Sequence, residues 1–259
     1  MTALSICAPV LGASRAQAGF SMVEVSLALV VAGLMSWAAF SGYETVSAQQ
    51  DIERGRAEAL QLQSTLRAFA LRNARLPCPD ASTTGDGGYE SQTAGVCSAG
   101  NQVGWFPYVS VGLERPAPGL RARYAVFRSS AAPDADLAVA TERTLDNAGD
   151  ATFRDANDLI AGLNNASRMA TDTARPYLTG DGGAAGAIDC AGNAVMPVAY
   201  WVVVPLKDRD DNGDRLDPPH TAASPCAASP SAPVRFGTDD VVVAESPAQL
   251  AGWLRRSLP

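Results

Sequence analysis

Lysine occurs once in this chain, as Lys207, and histidine once, as His220. The 20 Lys and Arg residues face 27 Asp and Glu, a formal charge of −7 at pH 7. No basic stripe crosses the sequence, so nucleic-acid binding has no electrostatic footing. A polybasic membrane-surface patch is missing for the same reason. One histidine, on the loop Pro218-Pro219-His220, cannot supply a His-rich metal site or support Ser-His-Asp catalysis, and it reads as a bystander. There is no C-x-x-C pair, no glycine-rich phosphate loop and no G-x-S-x-G elbow. Asp239-Asp240 offers a carboxylate pair, but neighbours on a strand point to opposite faces, so the two read as a turn or strand-start feature. Asn165-Ala166-Ser167 matches the glycosylation acceptor, a pattern short enough to arise by chance. The chain reads as a non-enzyme.

What is present begins near the amino terminus. Ala18-Gly19-Phe20-Ser21-Met22-Val23-Glu24 is followed directly by the apolar run Val25 to Phe40, broken only by Ser26 and Ser36. About 20 such residues in a helix just span a bilayer core. A carboxylate within such a segment is costly, about 3 kcal/mol at a helix centre, and calls for a counter-charge. Cleavage after Gly19 would create one, leaving the α-amino group of Phe20 one helical turn from Glu24.

Gly19-Phe20-x-x-x-Glu24 with a hydrophobic helix behind it resembles the processing site of type IV prepilins and type II secretion pseudopilins. The resemblance implies a leader over 1–19 removed by a prepilin peptidase, N-methylation of Phe20, and a Glu24 that offsets the terminal amine of its own or a neighbouring subunit. Arg75-Leu76-Pro77-Cys78-Pro79, followed by Trp105-Phe106-Pro107-Tyr108 and Gly112-Leu113, is similar to a group of larger pilin-like proteins with this site. The leader departs from the family pattern, with Arg15 its single charge. Ala16-Gln17-Ala18 also has the form of an ordinary signal-peptidase site, but that cut would leave a strongly hydrophobic helix on a soluble protein.

Removing the leader removes Cys7 and leaves Cys78, Cys97, Cys190 and Cys226. Four cysteines in an exported chain suggest two disulfides with three possible connectivities. Cys78–Cys97 with Cys190–Cys226 closes the shortest loops and is favoured; metal ligation and free thiols are the alternatives.

Beyond Gly42 the composition turns polar, while Ile52, Gly55, Ala59, Leu62, Leu66 and Phe69 keep helical spacing. One continuous helix is therefore expected, with a transmembrane and assembly part at 20–41, a periplasmic half at 42–75, and a globular domain at 76–259. Gly42 is a point where the helix could flex. Pro77 and Pro79 stop it. Residues 80–104 and 171–194 read as loops, and 217–233 as irregular chain held only by Cys226. Strands are expected at Arg121–Phe127, Leu137–Thr141, Val198–Pro205 and Val241–Ala244, and a modest helix at Asp155–Ser167. Ser246-Pro247-x-Gln249 is a capping box opening a C-terminal helix with Leu250, Trp253 and Leu254 on one face. The fold expected is α+β: a long N-terminal helix laid on an antiparallel sheet, with disulfide-stapled loops.

Asp208, Asp210, Asn212 and Asp214 alternate along one loop, with Gly213 where a calcium loop turns. The acidic residue of loop position twelve is replaced by Pro219, and Asp217 could close the site instead. A structural Ca²⁺ is the cofactor expected here; a hairpin turn on Asn212-Gly213 is the competing reading.

Together these features point to a non-catalytic minor pilin or pseudopilin of a bacterial type IV pilus or type II secretion machine. Its expected place is the inner membrane, single-pass, with its domain in the periplasm and other pilin or pseudopilin subunits as partners. Removal of 19 of the 259 residues leaves 240, large for a major pilin. The alternative is a monomeric, membrane-anchored periplasmic binding domain, calcium-stabilised, with an uncleaved N-terminal anchor.

Overall fold

The computed structural model describes residues 21–98, 100–144, 146, 153–180, 188–191, 195–209, 211, 213–232 and 237–258. The chain divides into two compact units, Met1–Ala48 and Gln49–Pro259. Helix α1 runs Met22–Asn73 without a break at Gly42. Then come β1 (Gln92–Thr93), β2 (Val96–Cys97), β3 (Val103–Trp105), β4 (Arg123–Val126), α2 (Ala156–Ser167), β5 (Tyr177–Thr179), β6 (Met196–Pro197), β7 (Tyr200–Val204), β8 (Cys226–Ala228), β9 (Val241–Glu245) and α3 (Pro247–Ser257). The fold is α+β, with a long apolar N-terminal helix, antiparallel sheet pairing and two disulfides.

In the first unit the apolar part of α1 is bare. Leu27, Leu29, Val30, Leu34, Met35, Trp37 and Phe40 are all exposed. It is long and apolar enough to cross a membrane, and none of its most apolar stretch is buried by protein. Its hydroxyls are satisfied from within: Ser26 Oγ donates to Val23 O and Ser41 Oγ to Ala38 O. A helix in lipid must close its own hydrogen bonds in this way.

In the second unit the later turns of α1 bury Gly55, Ala59, Leu62, Leu66 and Phe69, the stripe expected from three- and four-residue spacing, with Ala70 added and Ile52 only half-buried. The helix ends where Asn73 Nδ2 donates back to Phe69 O at 2.9 Å and Ala74 turns into the left-handed region at φ 52°. The main sheet has the order β3-β4-β7-β9, every pair antiparallel. Strand β7 is central and buried throughout, and it alternates. Tyr200, Val202 and Val204 join the core that holds Leu62, Leu66 and the α2–α3 leucines Leu159, Leu163, Leu250 and Leu254. Trp201 and Val203 face a second core with Leu178, Val198 and Ala227. That second core carries a small sheet of order β6-β5-β8, in which β5 and β8 are parallel. Disulfides join Cys78 to Cys97 and Cys190 to Cys226.

Several stretches differ from their sequence reading. Leu137–Thr141 is a turn, not a strand. Asp136 Oδ1 accepts from Ala138 N, and the Arg143 guanidinium gathers the carbonyls of Asp136 and Val139, so the backbone curls back on itself. The loop expected over 171–194 contains the buried strand β5, and the irregular stretch 217–233 contains β8; each supplies the pairing partner that the other needs. The loop over 80–104 holds the β1–β2 hairpin and β3.

Candidate functional site

Two places carry chemistry, one in each unit. The first is the head of α1. Gly19 and Phe20 lie outside the described residues. Glu24 sits in the first turn of α1, and its Oε2 accepts from Ser21 N at 2.9 Å. Ser21 Oγ accepts in return from Glu24 N at 3.3 Å. This is a capping box; the Ser21-x-x-Glu24 spacing carries its signal, but the sequence reading rests on the charge of Glu24 alone. It fixes the direction of the carboxylate, which bends back toward the chain segment preceding the helix rather than out along it.

The second place lies where the turn at 217–220 meets the start of β9. Asp217 accepts from Asp239 N through Oδ2 at 2.8 Å, and Asp217 N donates to Asp240 Oδ2 at 2.9 Å. His220 Nδ1 also lies 2.8 Å from Asp240 Oδ2. One ligand oxygen from each of Asp217, Asp239 and Asp240 lies within 4.8 Å of the others. Arg209 Nε stands 2.9 Å from Asp239 Oδ2 as a charge contact, yet that oxygen has no hydrogen bond among the described residues. Burial pushes the Asp239 carboxyl up to about 7; Arg209 pulls it down, while Asp217 and Asp240 push it further up. Burial raises Asp240 as well, with the His220 hydrogen bond opposing it.

These findings correct one reading and extend another. His220 is no bystander: it is 3% exposed and wired on both sides. Its Nε2 accepts from Ala228 N at 3.1 Å, an amide that can only donate, so the ring proton sits on Nδ1 and points at Asp240. With both nitrogens engaged, the ring has none left to act as a base or a ligand. Asp239 and Asp240 sit at the entry to β9, as their sequence reading has it, and because they have not yet taken strand geometry they turn their carboxyl groups into one cluster with Asp217. Sequence reasoning missed the cluster because Asp217 meets Asp239 only through the tertiary fold.

Of the loop residues expected to hold calcium, Asp210 and Asn212 lie outside the described residues. Asp208 Oδ2 accepts from Gly213 N at 3.0 Å, an ordinary turn bond. Asp217 belongs to the Asp239–Asp240 cluster. Beside the cluster lies a cavity of about 290 Å³, lined by Leu60, Ile188, His220, Asp240, Val241 and Val243 among others. No family model, curated protein or solved structure matches the chain.

Proposed function

We propose that the chain is a non-catalytic subunit of a pilin-like filament, a minor pilin or pseudopilin, processed after Gly19 and N-methylated at Phe20. The observation that carries this reading is the head of α1. An apolar stretch with no protein covering it is led by one carboxylate, Glu24, whose side chain returns to Ser21 N, the amide next to residue 20. An α-amino group at Phe20 would bring a positive charge to that end of the helix. In lipid, a paired charge is far cheaper than a lone one. The exposed face of α1 would bury itself against bilayer in the inner membrane and against the same helix of other subunits once assembled, with Gly33, which has no side chain, allowing close approach.

Two disulfides fit an oxidising compartment, and the second unit would therefore lie in the periplasm. Mass spectrometry of the amino terminus of the native protein tests the reading. N-methyl-Phe20 is expected. An intact leader would remove the filament assignment and leave a membrane-anchored extracytoplasmic domain.

A further inference from the structure

Three acidic side chains converge in the second unit with too little positive charge around them. Asp217 is 6% and Asp239 2% exposed as residues, and the Asp240 side chain is 1% exposed. Arg209 faces Asp239, and His220 spends its one proton on Asp240 Oδ2. With all three carboxyls ionised this leaves a shortfall of two charges, and buried charge of one sign is strongly unfavourable. The cluster is incomplete in a second and separate respect. Asp240 Oδ1 and the neighbouring Thr238 Oγ1 are buried without a hydrogen-bond partner among the described residues, and the buried Asp239 Oδ2 has only the Arg209 charge contact. Buried oxygens are seldom left so, and adjacent ones call for a ligand that accepts lone pairs.

We infer that Asp217, Asp239 and Asp240 together bind one divalent hard cation, Ca²⁺. The spacing suits it: ligand oxygens within 4.8 Å of one another can share an ion at about 2.4 Å, the usual calcium–oxygen distance. The donors are oxygen only, because Ala228 N occupies His220 Nε2 and keeps imidazole out of the coordination shell. That excludes the mixed nitrogen and sulfur sets that zinc and copper favour. His220 instead orients a ligand, holding the Asp240 carboxylate through one oxygen so that the other is presented. The cation supplies the missing charge and ties the turn at 217–220 to the start of β9. The ligands differ from the set expected from sequence, Asp208, Asp210, Asn212, Asp214 and Asp217, sharing only Asp217 with it, and the assignment is independent of the filament reading.

The test uses the full chain in detergent, stripped with EDTA and titrated with Ca²⁺ by equilibrium dialysis and thermal melting. One Ca²⁺ per chain is expected, with a rise in melting temperature on the order of 5 °C at saturation. Asp217→Asn and Asp239→Asn should each abolish binding. In EDTA each should melt no lower than wild type, because removing one of three crowded charges relieves repulsion; a merely structural carboxylate would give the opposite. The loop double variant Asp210→Asn/Asp214→Asn should still bind one Ca²⁺. Absence of binding by the wild type at millimolar Ca²⁺ would overturn the assignment and leave a proton shared between carboxyls. Loss of binding in the loop double variant would equally overturn it, whether or not the cluster variants fold.

Discussion

Ser21 and Glu24 close a reciprocal pair of hydrogen bonds at the head of the apolar helix, main chain to side chain in both directions. Capping the helix is one duty of this carboxylate; carrying charge for assembly is the proposed second, and the two are separable. Glu24→Gln keeps an oxygen to accept from Ser21 N but removes the charge. If the charge matters for assembly, Glu24→Gln should enter sheared filaments as poorly as Glu24→Ala. Ser21→Ala, costing about 1 kcal/mol of capping, should enter them nearly as well as wild type. Immunoblots of filament and membrane fractions read this out. Wild-type incorporation of Glu24→Gln would mean that capping alone explains the residue.

Arg67 on α1 pairs with Glu245 at the end of β9, and Tyr200 on β7 donates its hydroxyl to the same carboxylate. Arg67 also lies over the Trp253 ring of α3, 5.2 Å from its centroid. One side chain thereby links the long helix, the sheet and the last helix. Arg67→Met would keep much of the apolar stem but leave Glu245 buried without its cation. Removing one partner of a buried pair typically costs 3–5 kcal/mol, and because Arg67 is partly exposed the loss should fall at the lower end, about 3 kcal/mol. Adding Glu245→Gln should recover part of it, a coupling that a double-mutant cycle in urea would measure. Strict additivity of the two single losses would show that the pair contributes nothing as a pair.

Two glycines separate backbone crowding from side-chain crowding. A Cβ on Gly104 in β3 would stand 2.4 Å from Asp80 O, which is fixed by the paired bonds between Asp80 and Trp105. A Cβ on Gly55 in α1 would meet Leu206 Cδ2 at the same 2.4 Å, but that atom ends a flexible side chain. Overpacking costs about 1–3 kcal/mol, whereas Gly to Ala within a helix returns up to about 1 kcal/mol. Gly104→Ala should therefore lose about 3 kcal/mol and Gly55→Ala about 1 kcal/mol or less in urea unfolding. Equal losses would show that Leu206 cannot yield.

The elements that could be read from sequence are those whose signals are local. Ser246 caps α3 and Gln249 returns to it, as the box at those positions requires. Asp155 caps α2. Val198–Pro205, apolar throughout, contains a central strand buried on both faces. The two disulfides join the cysteines whose pairing closes the shortest loops. The acidic cluster is the opposite case. Asp217 sits just ahead of two prolines and Asp239 ahead of a strand, and neither neighbourhood signals a carboxylate partner. Strands β5 and β8 are three residues each, too short for periodicity to mark them, and they exist by virtue of each other.

Asp158 carries a pH signature that can be read in isolation. It is fully buried in α2, and its carboxylate accepts from Arg143 N at 2.6 Å, from Thr144 N and Thr144 Oγ1 at 3.0 Å, and from Asp155 N at 3.0 Å. Burial by itself raises the carboxyl, but these donors together outweigh it and hold the group below its ordinary 3.8. A carboxyl depressed in the folded state adds stability above its unfolded pKa and loses it as pH falls through the folded one. Asp158→Asn would turn an amide N–H₂ toward donors or strand some of them, costing about 2–3 kcal/mol at neutral pH, as expected for bonds to a charged group. The difference between wild type and variant in urea should stay constant from pH 7 to about 5 and narrow below pH 4, as wild-type Asp158 takes up its proton. A difference that stays the same down to pH 3 would mean that packing, and not the charged hydrogen-bond cage, sets the value of this residue.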